Sequence, residues 1–172
     1  MAGSYQKAYV AVHNTIGMLM QLDSQDIQIL KILQSDVRKS IEYIAQEVGL
    51  STASVQRRLK RLRKSQVISA EIAVIAPQAV GQLMSFIISV ELERDHIDHL
   101  TQFKARVKKE AQVQQCYYVT GESDFVIIVN ATDMQDFERF TQRVFYNDSN
   151  VRRYKTSVVM ERTKVGLSLP LP

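Results

Sequence analysis

The sequence predicts an α+β chain, with a three-helix helix-turn-helix unit followed by a βαββαβ domain. Three observations carry this reading. Residues 40–64, SIEYIAQEVGLSTASVQRRLKRLRK, hold two helical apolar patterns separated only by Gly49-Leu50-Ser51. The stretch from Ser51 to Lys64 has six cations and no acid. Beyond Pro77 the apolar rhythm changes to short β-rich runs alternating with amphipathic helical segments.

Residues 1–21 form an N-terminal arm with one charge, Lys7. Its run Ala8–Val12 reads as a strand or an arm packed on a partner subunit; alternatively, translation starts at Met18 or Met20. Residues 22–66 form the helix-turn-helix domain. Asp23 caps a first helix carrying Ile27, Leu30, Ile32 and Leu33, and Asp26 complements its positive end. Ser40 caps a second helix, which buries Ile41, Ile44, Ala45 and Val48. Gly49 stops it, because glycine takes the left-handed conformation without a Cβ penalty. Ser51 caps the third helix by accepting a backbone N–H bond. That helix buries Val55, Leu59 and Leu62 and presents Thr52, Ser54, Gln56, Arg57, Lys60 and Arg61.

A helix, a tight glycine turn and a second helix form the arrangement that places its second helix in the major groove of DNA. Ser54, Gln56 and Arg57 are the expected base-edge readers, since glutamine pairs with adenine and arginine with guanine in two-bond geometry. Thr52, Lys60 and Arg61 are the expected phosphate contacts. With Ser51 at the helix start they complete the candidate DNA-binding set. The plainer reading is a solvated amphipathic face; the glycine turn, the serine cap and the polar first turn favour double-stranded DNA.

Residues 67–82 are expected to be a β connector or wing, ended by Pro77, with the domain boundary within Ala76–Gly81. Residues 83–163 form the second domain. Met84–Leu92 is a strand, and Asp95–Glu110 is a helix with Ile97, Leu100, Phe103 and Val107 on one stripe. Val113–Val119 is a strand, Gly121-Glu122-Ser123-Asp124 is a turn, and Phe125–Ala131 is a strongly apolar strand. Asp133 caps a helix carrying Met134, Phe137, Phe140, Val144 and Phe145, and Val151–Met160 is the last strand. This order is that of the ferredoxin-like split βαβ unit. Two helices cover one sheet face, so the other is expected to dimerise. The tail, 164–172, ends LSLPLP and is expected to lie along a neighbouring subunit or stay mobile.

A net charge of +4 and a pI near 9.2 suit a polyanionic partner. The single cysteine, Cys116, excludes an intramolecular disulfide and reads as a small core or interface residue rather than a reactive thiol. His96 and His99 could share a helix face, but no ligand pattern completes a metal site. No nucleophile–base pair or phosphate loop supports an enzyme, and no catalytic residue, metal or cofactor is expected. No apolar run reaches membrane-spanning length and no signal-peptide layout opens the chain, so a cytoplasmic location is expected.

The chain resembles the Lrp/AsnC feast/famine family of transcriptional regulators over about residues 22–170. The segments that carry the resemblance are LDSQDIQILKILQ at 22–34, IAQEVGLSTASVQRRLKRL at 44–62, VTGESDFVI at 119–127 and MERTK with SLP at 160–170. Two positions depart from the family pattern. Gln66 stands where glycine usually closes the recognition helix, and Ala70-Glu71 replaces the common tyrosine of the connector.

The resemblance implies an amino-acid effector and a homodimer that assembles further, to a tetramer or octamer. Carried onto this sequence, the Gly-x-x-Asp turn makes Gly121, Glu122, Ser123 and Asp124 effector candidates. Thr156 and Ser157 on the last strand are weaker ones. Exposed backbone N–H groups of such a turn can take a carboxylate, and Asp124 an ammonium; the alternative is a plain hairpin turn. The competing function is a nucleoid-type architectural protein that binds DNA without an effector.

Overall fold

The computed structural model describes residues 21–93 and 96–172. The arm and its alternative starts at Met18 and Met20 lie outside these residues. The chain divides into two compact units, one running to Ala73 and including Val165–Pro172, the other spanning Val74–Lys164.

The first unit contains α1 (Ser24–Ser35), α2 (Ile41–Val48) and α3 (Thr52–Lys64). α1 opens with a capping box in which Asp23 accepts the Asp26 N–H and Asp26 accepts the Asp23 N–H. Ser40 caps α2 through the Tyr43 N–H, and Ser51 caps α3 through the Ser54 N–H. Gly49 closes α2 at φ 66°. The Leu50 N–H then returns to the Ala45 carbonyl at 3.0 Å, fixing the turn between the helices. Ile29, Ile44, Val55 and Leu62 are almost fully buried and form the shared core.

α3 ends without glycine, and Gln66 itself takes the left-handed conformation at φ 59°. Its side-chain Nε2 donates to the Arg63 carbonyl at 3.2 Å. The Ile68 N–H then donates to the Leu62 carbonyl at 3.2 Å, and Ile68 packs on the core. Beyond this point the expected β connector forms no ladder among the described residues. Strand-like spacing meets no pairing strand among the described residues there, and Ile72, Val74 and Ile75 stand exposed.

The tail departs from both expectations for it. Leu171 packs on the helix-turn-helix core. The Leu169 N–H donates to Gln34 Oε1 at 2.7 Å, while Gln34 Nε2 donates to the Leu169 carbonyl at 3.1 Å. Pro170 has no N–H, so this two-bond clasp replaces a continued strand.

The second unit opens with a 3₁₀ turn at Pro77–Val80. It then runs β1 (Met84–Leu92), α4 (Ile97–Val107), β2 (Val113–Tyr118), β3 (Phe125–Ala131), α5 (Met134–Thr141), a π-helical turn at Gln142–Tyr146, and β4 (Val151–Val158). The sheet order is β2-β3-β1-β4, and the three pairings are antiparallel. Phe86, Ile88 and Val90 of β1 and Phe125, Ile127 and Val129 of β3 alternate into the core. There they meet Phe103 and Val107 of α4 and Phe137 and Phe140 of α5. Ile97, expected on the buried stripe, sits in the first turn of α4 and is exposed, so the stripe begins at Leu100.

The opposite sheet face carries Ile87, Ser89, Val126 and Ile128, by the register of β1 and β3. Of these Ile87 is 41 % exposed. Arg153 of β4 pairs there with Glu91 of β1 at 2.5 Å.

Candidate DNA-binding face and effector turn

The burial of Val55, Leu59 and Leu62 fixes which side of α3 faces outward. Thr52, Gln56, Arg57 and Lys60 are exposed, and Ser54 is half-buried. The Ser51 hydroxyl accepts the Ser54 N–H at 3.2 Å, so that residue is committed to the cap. The first turn therefore presents short polar groups and unsatisfied helix N–H groups, with Gln56 and Arg57 immediately behind.

The six cations divide into two sets. Arg58 bridges Asp23 Oδ2 at 2.6 Å and Asp26 Oδ1 at 2.8 Å. Arg61 pairs with the other oxygen of Asp26. Arg63 makes a two-bond pair with Glu71, at 3.0 and 2.8 Å. Arg57, Lys60 and Lys64 form no ion pair among the described residues. Arg61, expected on phosphate, keeps 45 % of its side chain exposed while its guanidinium pairs with Asp26 of α1.

Its place in the sequence makes Asp26 a helix-end acid, yet it is fully buried and joins α1 to α3. Nothing in its sequence position signals a partner 32 residues away. The cap bond from the Asp26 N–H, and then Arg58, hold the Asp23 carboxyl below its ordinary range. Hydrogen bonding to Arg63 does the same for Glu71.

In the second unit, Gly121 takes φ 135° in the turn between β2 and β3. Glu122 is exposed, and Ser123 is half-buried. Asp124 is stitched into the sheet on three sides. Its carbonyl accepts the Val119 N–H at 2.9 Å, and its N–H donates to the Val90 carbonyl at 2.9 Å. Its carboxylate accepts the Leu92 N–H at 2.7 Å. That bond holds β1 where its pairing with β4 shifts register between Glu91 and Leu92. One oxygen of the expected ammonium ligand therefore already has a structural donor.

Thr156 and Ser157 are not brought to this turn. They lie on β4, across β1 from β3, and as neighbours on a strand they face opposite ways. Thr156 pairs with buried Ile88 and lines an open groove with Met134, Phe137, Tyr146 and Tyr154 on the helix side. Ser157 pairs with Ile87 and faces the helix-free side. Cys116, expected in a core or interface, is exposed on β2, and partial burial of its thiol raises its pKa. No group of His, Cys, Asp and Glu among the described residues could hold a metal ion. No helix among them is long and apolar enough to cross a membrane.

A helix-turn-helix unit followed along the chain by a four-stranded α+β domain is the architecture of a DNA-binding transcriptional regulator. Residues 22–63 match the AsnC-type helix-turn-helix domain, and residues 85–169 match the Lrp/AsnC ligand binding domain. The chain belongs to the Lrp/AsnC family of transcriptional regulators.

It is 41 % identical to an uncharacterized HTH-type transcriptional regulator of Sinorhizobium fredii, covering 88 % of this chain and 90 % of that one. An HTH-type regulator of Haemophilus influenzae is 35 % identical, over 90 % and 92 % of the two chains. Among solved structures, a Neisseria meningitidis transcriptional regulator in complex with L-Met superposes with a TM-score of 0.80 at 31 % identity. It covers 87 % of this chain and 97 % of that one. These relatives are regulators, not enzymes.

Proposed function

We propose that the protein is a sequence-specific transcriptional regulator whose second unit assembles the oligomer and binds a free amino acid. The observation that carries the first part is the outward face of α3, where Gln56 and Arg57 stand exposed behind a polar capped turn. Ser54, Gln56 and Arg57 read base edges, while Thr52 and Lys60 hold phosphates. The protein acts in the cytoplasm and uses no metal or prosthetic group.

The effector turn is Gly121–Asp124. Its support is the positive φ of Gly121, the exposure of Glu122 and the L-Met bound by the Neisseria relative. A homodimer covers the helix-free sheet face, where Ile87 is exposed and Val126 and Ile128 are half-buried. Higher assembly, to tetramer or octamer, follows the family.

The test has two arms. Duplexes selected from a randomised pool are expected to bind far more tightly than random duplex at one salt concentration. A thermal-shift screen against the twenty amino acids is expected to give a hit, since about 2.7 kcal/mol accrues at a hundred times the dissociation constant. Replacing Glu122 with Ala weakens that hit while leaving the melt of the free protein in place. Equal affinity for selected and random duplexes, with no amino-acid hit, would overturn this reading and leave an architectural DNA-binding protein.

A further inference from the structure

The helix-turn-helix unit contains a closed ionic cluster that DNA reading does not use. Asp26 is fully buried at the start of α1. One of its oxygens meets Arg58 at 2.8 Å and the other meets Arg61. Asp23 adds a second acid on Arg58 at 2.6 Å. The cluster is therefore two carboxylates against two guanidiniums, with no net charge to project outward.

Its position on α3 gives this balance a functional meaning. Arg58 and Arg61 are three residues apart and lie on one side of the helix. Arg61 is also four residues from Arg57, so it borders the row formed by Arg57, Lys60 and Lys64. A free Arg61 would extend that row and reach phosphates of any sequence. Arginine is well suited to this, because its fork matches phosphate oxygens in two-bond geometry.

We propose that Asp26 is a specificity-determining positioning residue, which draws Arg58 and Arg61 onto the body of the unit and away from the DNA backbone. Fewer sequence-blind charges then contribute to binding, and the base-reading residues set a larger share of it. The proposal rests on α3 being the DNA-reading helix. Burial makes the restraint firm, because a carboxylate buried without its cationic partners is strongly disfavoured.

Counterion release supplies the readout, since each phosphate neutralised adds about 0.9 to the slope of log affinity against log salt. The Asp26→Asn variant keeps the shape of the side chain and loses its charge. With random duplex its slope is expected to steepen by about one to two per recognition helix, with affinity rising on the order of tenfold at low salt. The ratio of selected to random affinity falls. The double variant Asp26→Asn/Arg61→Gln returns the slope towards that of the unaltered protein.

A residue with a merely structural role would weaken both duplexes together and steepen nothing, and that result overturns the proposal. Melting curves establish that each variant is folded. If Asp26→Asn is not, Arg58→Gln decides: the slope is expected to stay as it was, and a loss of about one unit would show Arg58 on phosphate and refute the restraint. Absence of any duplex binding by the unaltered protein would overturn the reading of α3 and the proposal together. Binding with the wrong variant slopes overturns the proposal alone.

Discussion

At the scale of single residues, Gln66 and Asp23 are the two positions where local chemistry is most exposed to test. Gln66 holds a left-handed conformation at φ 59°, which costs a residue with a Cβ about 1 kcal/mol or more. Replacing it with Gly should raise the stability of the first unit by about 0.5–1 kcal/mol, read as a higher melting midpoint. A lower midpoint would mean that the Nε2 bond to Arg63 outweighs the strain. Asp23 has its pKa depressed below the ordinary 3.8 by its cap bond and by Arg58. Its charge-dependent contribution is therefore complete above that value and disappears as pH falls through the lower folded-state value. Against an Asp23→Asn variant, which still caps, the advantage should be present at pH 6 and absent in strong acid, as followed by thermal melts across pH. Both residues were partly legible in the sequence: Asp23 as a cap, and Gln66 as a missing glycine. The pairing of Asp23 with Arg58 was not, because 35 residues separate them and only packing brings them together.

At the scale of elements, the helices of the first unit follow from local rules. Asp23, Ser40 and Ser51 each accept the backbone bond expected of a cap, and Gly49 closes α2 as expected. The strands β1 and β3 were legible for the same reason, since their alternation or apolar density states the fold directly. What the sequence did not show was the use made of polar side chains. Asp124 reads equally well as a ligand or as a turn residue, and only the Leu92 N–H at 2.7 Å reveals its part in the sheet. An Asp124→Ala variant should lose about 1–3 kcal/mol of stability, because the Leu92 donor is left without its partner; urea melts will measure it. Loss of effector response in that variant would then be ambiguous, which makes Glu122 the better probe. Thr156 and Ser157, the weaker effector candidates, are neighbours in sequence, but the pleat of β4 turns them to opposite faces.

For the whole molecule, the tail is the feature that local reading could not supply. LSLPLP has no periodicity and two prolines, so nothing in it names Gln34 as a partner 135 residues earlier. Replacing Gln34 with Ala removes both bonds to Leu169. It should cost the first unit about 1–2 kcal/mol, with faster hydrogen exchange at the Leu169 amide as the direct readout. Unchanged exchange would show that Leu171 alone anchors the segment. The clasp also has a consequence in time. The helix-turn-helix is made early in synthesis, but its last packing contact comes from residues translated more than 130 positions later. At ordinary translation speeds that interval is on the order of ten seconds. Throughout it the newborn helices stand with one edge of their core uncovered, and the unit is finished only when the second unit has also left the ribosome.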